Sequence, residues 1–370
     1  MHTRMTHGPL RLLGDGAALP GPPIPTDDLL RRIEDRFGIP VVRKGTRIGG
    51  RLGIKSRHFS RDFIEAAESP RPADTNPKLC AAALRQALAQ ANIAPQNLGY
   101  LLAHTTTPHT LLPSNVAWVA DELQLDRPTL ELRQACCGFA SALQIAAAFL
   151  AQPGSPPVAI LGSETGSVYL DPRCCDRNNA QLVNLLQMGD GAGAVVLGSD
   201  AIGSKGALIS HMFIGSLGAN RVPAIRLDVG GSSCTAGTQP VIQFQHDFQG
   251  VREGGLELLQ AGVNALRQVD VHPRDVDYFL THQASAAIPR LFAPMIGVDP
   301  RRFIVDCDTV GNLGSASIWV ALQRLRSSGR LREGERVMVL GAEASKYLFG
   351  GFIYRHAKQG TPSSTARLGV

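Results

Sequence analysis

The chain has 370 residues, of which 44% are hydrophobic and 18% are charged, and its formal net charge is +6. That length and balance are typical of a globular protein with one large core or two fused ones. The sequence contains neither an apolar run long enough to span a bilayer nor a basic segment followed by an apolar one, as in a secretory signal. We therefore expect a cytoplasmic protein with no membrane part.

Residues 1–7 are predicted to be a disordered lead, and residues 18–23, with the sequence ALPGPP, predict a turn-rich loop. Acidic residues in the first turn after Thr26 predict the start of a helix. Apolar residues at helical spacing predict a further helix over residues 76–91.

Later in the chain, residues 141–150 and residues 254–269 predict two more helices. Residues 166–188 predict an irregular segment, placed where a substrate-covering loop would fit. Glycines within residues 203–206 predict the start of a second half of the chain. The Ser/Thr-rich residues 361–370 predict a mobile tail.

The cysteines and the charge limit the possible ligands. Two of the seven cysteines form the adjacent pair Cys136 and Cys137, and two more form the pair Cys174 and Cys175. Adjacent cysteines are poor disulfide partners, and no Cys-x-x-Cys spacing occurs, so we expect free thiols and no metal. A basic surface would attract nucleic acid, anionic lipid, or an acidic carrier protein and phosphate-bearing thioesters. Nucleic acid is the least favoured because no dense basic run interleaved with aromatic residues occurs.

Cys136 is the strongest candidate for a nucleophile. It lies in the segment QACCGFA (residues 134–140), directly after the strand-like residues 128–132. A cysteine at a strand-to-helix turn meets the positive end of the helix, where free N–H groups and the dipole stabilise a thiolate. The small residues Ala135 and Gly138 would let a substrate carbonyl approach the backbone. The alternative is a buried structural cysteine.

An internal repeat supplies possible partners for this thiol. YLLAHT (100–105) and VAILGSE (158–164) flank the Cys136 segment, and YFLTHQ (278–283) and VMVLGAE (337–343) flank VGNLGS (310–315). This order predicts a duplicated α/β unit.

Equivalent positions of the two repeats are separated by nearly the same number of residues. His104 and His282 are 178 residues apart, Glu164 and Glu343 are 179 apart, and Cys136 and Asn312 are 176 apart. Cys136, His282 and Asn312 each end or follow a predicted strand, at the sheet edge that ligands favour in α/β folds. The repeat therefore predicts a Cys–His–Asn site between two halves.

Six motifs together resemble the ketoacyl-acyl-carrier-protein synthase III group of the thiolase-like condensing enzymes. They are RLGIKSRH (51–58), ACCGF (135–139), GDGAGA (189–194), HQA (282–284), GN (311–312) and FGGF (349–352), in family order across roughly residues 8–356. The resemblance implies a thiolase-like α/β fold of two duplicated halves in αβαβα layers. The expected halves are residues 8–202 and 203–356, followed by a tail over residues 357–370.

The resemblance also implies a role for each residue. Cys136 would carry an acyl group, His282 and Asn312 would polarise a donor thioester carbonyl, and the N–H groups of Cys136 and Gly350 would form the oxyanion hole. The substrate-binding residues would be Arg51, Leu112 and Phe139. Acyl-CoA or acyl-carrier-protein thioesters would be the substrates, without metal or redox cofactor, in a homodimer. The glycine-rich segment 189–194 would be structural rather than phosphate-binding.

Several positions depart from the family pattern. Ser285 and Ala287 replace an Asn and an Arg, and Arg47 replaces a Trp, where the family grips coenzyme A. Leu112 replaces an aromatic residue that shapes the acyl pocket of the neighbouring subunit, and residues 172–188 form a longer segment than usual. These departures favour a specialised pathway in which a carrier protein brings the acyl donor.

Three functions remain open from the sequence. The first is decarboxylative Claisen condensation, which the combination of Cys136, His282 and Asn312 favours. The second is acyl transfer to an alcohol, amine or thioester, which needs Asn312 less. The third is a catalytically silent partner subunit, which the intact Cys136 disfavours.

We expect iodoacetamide to label Cys136 and not Cys137, because Cys137 is predicted to point into the core. Cys136→Ala should abolish acyl-enzyme formation, while the matched variant Cys137→Ala should retain it. Peptide mapping and intact-protein mass spectrometry measure both. The reverse pattern would show that the motif has been read one residue out of register.

Overall fold

A computed structural model describes residues 2–6, 8–61, 71–177, 179–200, 206–227 and 244–357. The strands are β1 (His2–Thr6), β2 (Leu10–Ala18), β3 (Ile24–Pro25), β4 (Ser56–Arg57), β5 (Tyr100–His104), β6 (Thr129–Leu132), β7 (Val158–Glu164), β8 (Gly191–Ser199), β9 (Ala207–Ser216), β10 (Ile225–Leu227), β11 (Phe244–His246), β12 (Tyr278–Thr281), β13 (Arg336–Glu343) and β14 (Leu348–Arg355). The helices are α1 (Thr26–Phe37), α2 (Val42–Leu52), α3 (Asn76–Ala91), α4 (Asn115–Leu123), α5 (Gly138–Leu150), α6 (Asn179–Gln187), α7 (Phe248–Arg267), α8 (Ile288–Ile296), α9 (Cys307–Val310) and α10 (Ser317–Ser327).

The central sheet repeats one strand order in both halves. In the first half β5 pairs in parallel with β6 and β7, and the antiparallel strands β8 and β2 follow β7. In the second half β12 pairs in parallel with β13, and the antiparallel strands β14 and β9 follow. Leu10–Leu12 of β2 pair with Ala207–Ile209 of β9, which joins the halves into one sheet. The predicted duplication is confirmed.

The layers follow from the alternation of side chains along each strand. In β5, Leu101 and Ala103 pack with α3 and α4, whereas Leu102 packs with α5 and α10. In β13, Met338 packs with α7 and α8, whereas Val337 packs with α5 and α10. The layers therefore run α3 and α4, first half-sheet, α5 and α10, second half-sheet, α7 and α8. This is the predicted αβαβα arrangement, with α5 and α10 buried in the middle.

Four predicted helices are present, and two predictions about local structure are wrong. Residues 2–6 form β1, which pairs with β9, instead of a disordered lead. Residues 166–188 are not irregular, because they contain short 3-10 turns and α6, whose Leu182, Leu185 and Leu186 are buried at helical spacing. The proposed boundary at residues 202 and 203 and the tail beyond residue 357 lie outside the described residues.

Within the described parts of the chain, no helix combines the length and the apolar composition needed to cross a bilayer.

Candidate active site

Cys136 lies in the turn between β6 and α5, as predicted. Its side chain is partly buried, whereas Cys137 is fully buried and its Sγ donates to the Leu348 carbonyl at 3.4 Å. Cys136 is therefore the thiol of the pair that a substrate can reach.

A carboxylate occupies the amino-terminal end of α5. The backbone N–H of Cys137 donates to Glu343 at 2.9 Å, the N–H of Ala135 also acts on this carboxyl group, and the Ser345 hydroxyl donates to its other oxygen. Glu343 ends β13, so a residue of the second half caps the helix that follows the nucleophile in the first half. The positive end of α5 is thus already partly neutralised.

The Cys136 thiol does not have the lowered pKa that the sequence predicted. Burial raises its pKa well above the ordinary value, and the negative charges of Glu343 and Glu164 raise it further, while its own N–H acts in the opposite direction. The prediction of a stabilised thiolate is wrong because it considered the helix and neither the burial of the thiol nor the two carboxylates beside it, Glu343 of the second half and Glu164 of the first.

Glu164 of the first half makes the equivalent contact with a helix start of the second half. Its carboxylate accepts hydrogen bonds from the Ser315 N–H at 3.2 Å and the Ser315 hydroxyl at 2.8 Å, just before α10. The hydroxyls of Thr106 and Thr107 also donate to it, at 2.8 and 2.7 Å. Each half therefore supplies a glutamate to the helix start of the other half.

His282 follows β12 and is neutral near pH 7. Its backbone N–H donates to the Leu340 carbonyl at 2.8 Å, and only 6% of the residue is exposed. Burial lowers the pKa of its imidazole to about 4. Nδ1 is buried without a hydrogen-bond partner among the described residues, so Nε2 is the nitrogen left for a ligand.

The Asn312 amide has a fixed orientation. Its Oδ1 accepts from the Gly314 N–H at 3.0 Å and from the Ser317 hydroxyl at 3.3 Å. Because a backbone N–H requires an acceptor, the oxygen must face Gly314, and Nδ2 is left as a donor. The preceding Gly311 has a φ of 80°, which favours glycine.

The glycine-rich segment 189–194 is structural, as expected. The Asn312 carbonyl accepts from the Gly189 N–H at 3.0 Å, and a Cβ on Gly189 would lie 2.2 Å from the Val310 carbonyl oxygen. The Asp190 carboxylate accepts from Ser60 and Ser167. The segment thus holds the Asn312 loop in place.

Polar contacts connect the three candidate catalytic segments, which carry Cys136, His282 and Asn312. The Ser315 hydroxyl, whose proton is directed mainly at Glu164, also lies 3.3 Å from the Gln134 carbonyl oxygen, so the Asn312 loop contacts the Cys136 turn. Gln187 donates through its side chain to the Ala284 carbonyl and accepts through its carbonyl from the Asn312 N–H, both at 2.8 Å. Sequence reasoning missed Gln187 entirely, whereas both glutamates were already landmarks of the repeat.

The remaining predicted residues are divided between the core and the surface. Gly350 lies in β14, where its backbone acts on the Cys137 thiol and a Cβ would lie 2.5 Å from the Ala140 Cβ. Phe139 is fully buried against Trp319 and Phe352, so it packs the core instead of facing a substrate. The oxyanion role of Gly350 remains a prediction.

Arg51 and Leu112 are exposed. Arg51 lies at the end of α2, and Leu112 has 88% of its surface exposed. The Leu52 carbonyl accepts from the Ala286 N–H at 2.9 Å, so α2 ends beside the segment that carries His282. No cluster of three or more potential metal ligands occurs among the residues that the structure describes.

We expect alkylation of Cys136 by iodoacetamide to keep accelerating up to and beyond pH 9.0, the ordinary pKa of a cysteine thiol, since burial raises its pKa well above that value. Glu343→Gln should speed the reaction at pH 8 by on the order of threefold to tenfold, because it removes a negative charge and keeps an acceptor for Cys137. Glu257→Gln, at a surface ion pair with Arg221, is the matched control and should change nothing. A plateau near pH 7 would contradict the raised pKa.

Two family models match this chain. One describes 3-oxoacyl-[acyl-carrier-protein] synthase III and matches residues 130–218, and the other describes the C-terminal part of that enzyme and matches residues 266–355. Cys136 lies in the first range, and His282 and Asn312 lie in the second.

Curated relatives extend over most of the chain. The beta-ketoacyl-[acyl-carrier-protein] synthase III of Clostridioides difficile is 27% identical over 300 residues, which cover 80% of this chain and 85% of the relative. The enzyme of the same name from Ehrlichia chaffeensis is 28% identical over 355 residues, covering 93% and 98%.

Solved structures share the fold. AbyA1, described as a tetronic acid condensing enzyme, has a TM-score of 0.79 and 23% identity, covering 94% of this chain and 99% of its own. Xanthomonas campestris OleA with bound lauric acid and lauroyl-CoA has a TM-score of 0.77 and 20% identity, covering 95% and 100%. The matched ranges, the relatives and the shared fold agree: the chain has the thiolase-like fold and is similar over most of its length to the 3-oxoacyl-[acyl-carrier-protein] synthase III-like condensing enzymes.

Proposed function

We propose that the protein takes an acyl group from acyl-CoA or an acyl carrier protein onto Cys136 and extends it by decarboxylative Claisen condensation with a malonyl-type thioester. The observation that carries this proposal is the fixed Asn312 amide, whose Nδ2 is left as a donor in a loop tied to both the Cys136 and the His282 segments. Acyl transfer alone does not need such a donor.

In the first half-reaction, the Cys136 sulfur forms a bond to the acyl carbon and the carbon–sulfur bond of the donor breaks. Because the thiol is protonated at rest, acylation needs a base, and the neutral imidazole of His282 can accept that proton. The proton then leaves on the departing thiol. The N–H groups of Cys136 and Gly350 remain our candidates for holding the oxyanion.

In the second half-reaction, the malonyl-type thioester loses carbon dioxide, and the electron pair of the broken carbon–carbon bond forms an enolate. Asn312 Nδ2 donates a hydrogen bond to the enolate oxygen, and His282 donates a second one from Nε2 after the proton of its neutral ring has exchanged from Nδ1 to Nε2. The enolate carbon attacks the acyl group on Cys136, the carbon–sulfur bond breaks, and the thiolate takes up a proton from water. Both thioesters carry their own activation, so we propose that no metal or redox cofactor takes part.

The basic end of α2 supports a phosphate-bearing substrate. Arg47 and Arg51 are exposed, and a Cβ on the neighbouring Gly53 would lie 2.8 Å from the Ala286 Cβ, close to the His282 segment. Guanidinium groups suit phosphate, which coenzyme A and the carrier-protein arm both contain. A specialised biosynthetic pathway fits the departures at Ser285 and Ala287.

The Leu111–Leu112 turn supports a homodimer. Leu111 is 62% and Leu112 is 88% exposed. The turn is nevertheless ordered, because the Trp118 indole donates to the Thr110 hydroxyl at 2.8 Å and that hydroxyl donates to the Pro113 carbonyl at 2.9 Å. We propose that Leu112 enters the acyl pocket of the partner subunit.

We expect Asn312→Ala to leave acylation of Cys136 nearly intact but to reduce carbon dioxide release from a malonyl donor by about 100- to 1000-fold, since one enolate donor is lost. Intact-protein mass and labelled carbon dioxide measure the two steps separately. Asn264→Ala, at an exposed position of α7, is the control. A wild type that never releases carbon dioxide but acylates an alcohol or amine would replace this proposal by acyl transfer.

We expect sedimentation at micromolar concentration to show a dimer, with an interface of about 2,000 Å² or more. Leu112→Asp should weaken it because a carboxylate would enter an apolar pocket. Val222→Asp, which changes another exposed apolar residue, should not. A monomeric wild type would contradict the dimer and the shared pocket together.

A further inference from the structure

His104 is the repeat counterpart of His282, yet its surroundings differ. It ends β5, as His282 follows β12, but its ring is fully buried. The Trp319 indole N–H donates to its Nε2 at 3.2 Å, and Trp319 is itself fully buried in α10. A contact thus runs from the second half to a histidine beneath the nucleophile turn of the first half.

The Trp319 contact determines the tautomer of His104. An indole N–H only donates, so Nε2 must be the unprotonated nitrogen and Nδ1 must carry the proton. Nδ1 has no partner within hydrogen-bonding geometry among the described residues, but the Ala135 carbonyl is close enough to act on the ring. Ala135 directly precedes Cys136, so the unsatisfied donor lies at the nucleophile turn.

The ring also fills the space beneath that turn. A Cβ on Gly138, the first residue of α5, would lie 2.5 Å from His104 Nδ1, and one on Gly162 would lie 2.7 Å from Nε2. The Gly138 N–H closes the turn by donating to the Ala135 carbonyl at 3.0 Å. The backbone on both sides of Cys136 is therefore placed against one imidazole.

We propose that His104 and Trp319 act as positioning residues for the nucleophile: Trp319 holds the His104 ring, and the ring supports the Ala135–Gly138 turn so that Cys136 is presented to the thioester. Glu343 holds the same turn through the N–H groups of Ala135 and Cys137. The inference rests on the proposed role of Cys136. Neither positioning residue touches the substrate.

The ring acts without changing its charge. Burial lowers the pKa of His104 to about 3, so it stays neutral wherever the enzyme is assayed. Replacing it should change the rate of acylation and leave the shape of the pH profile unchanged. A general base would change both.

The test measures acylation of Cys136 by quenched flow and intact mass over a range of thioester concentrations, in the full chain. His104→Met and Trp319→Phe should each lower the maximal rate about 10- to 100-fold with little change in KM, because a small displacement of a nucleophile has that effect. The maximal rate of the double variant should be no lower than that of the more impaired single variant, because the pair acts as one unit. His104→Gln should recover much of the rate, since its amide can accept from Trp319 and donate toward Ala135.

Tyr354→Phe is the matched control, because Tyr354 is fully buried in the same core as Trp319 and its hydroxyl is hydrogen-bonded, with His356 Nδ1 at 2.9 Å. It should leave the acylation rate unchanged. A wild-type maximal rate in folded His104→Met or Trp319→Phe, or losses that multiply in the double variant, would overturn the proposal. If His104→Met fails to fold, Trp319→Phe decides alone.

Iodoacetamide separates this inference from the proposed function, because alkylation needs no thioester. If no thioester acylates the wild type, the proposed function fails. A slower alkylation of Cys136 in Trp319→Phe than in Tyr354→Phe would then still support the positioning role, and equal rates would refute it.

Discussion

The two buried glutamates are the interaction on which the site depends. Glu343 of the second half accepts from the helix start that follows Cys136, and Glu164 of the first half accepts from the helix start that follows Asn312. Buried carboxylates are costly unless hydrogen bonds compensate them, and here each has donors in its own half but completes its set only when the halves are assembled. Folding of one half therefore completes the catalytic loop of the other.

Burial, together with the same carboxylates, determines the resting state of Cys136. The burial of the site, reinforced by the two negative charges, raises the pKa of Cys136 and keeps it as a thiol, so acylation in the proposed mechanism depends on a base and on position instead of a standing thiolate. A neutral His282 suits the base that we propose, because an unprotonated ring nitrogen can accept the Cys136 proton during acylation. Burial thus lowers the basicity of one partner and the acidity of the other, which keeps both neutral before substrate binds.

Duplication gave the two halves equivalent positions that have since diverged. His282 keeps Nε2 available for a ligand, whereas the Nε2 of His104 is occupied by Trp319 and its ring lies in the core. The polar loop around Asn312 faces the helix start at Cys136 across the interface. The halves share a strand order. The proposed site depends on the different side chains and environments that equivalent strand ends now have, such as those of His282 and His104.

The repeat was sufficient to predict the duplicated fold and the Cys136, His282 and Asn312 segments, because the spacing of motifs can be read from the chain itself, whereas the αβαβα layers were implied by the resemblance to a known family. Tertiary structure decided the rest. Glu343 and Glu164 act on Cys136 from far away in the chain, and Gln187 binds the Asn312 backbone, so no local pattern reports their effect on the pKa of Cys136 or on the position of the Asn312 loop. Burial of Phe139 and pairing of residues 2–6 with β9 likewise depend on which surfaces meet, and that is determined only when the two halves pack together.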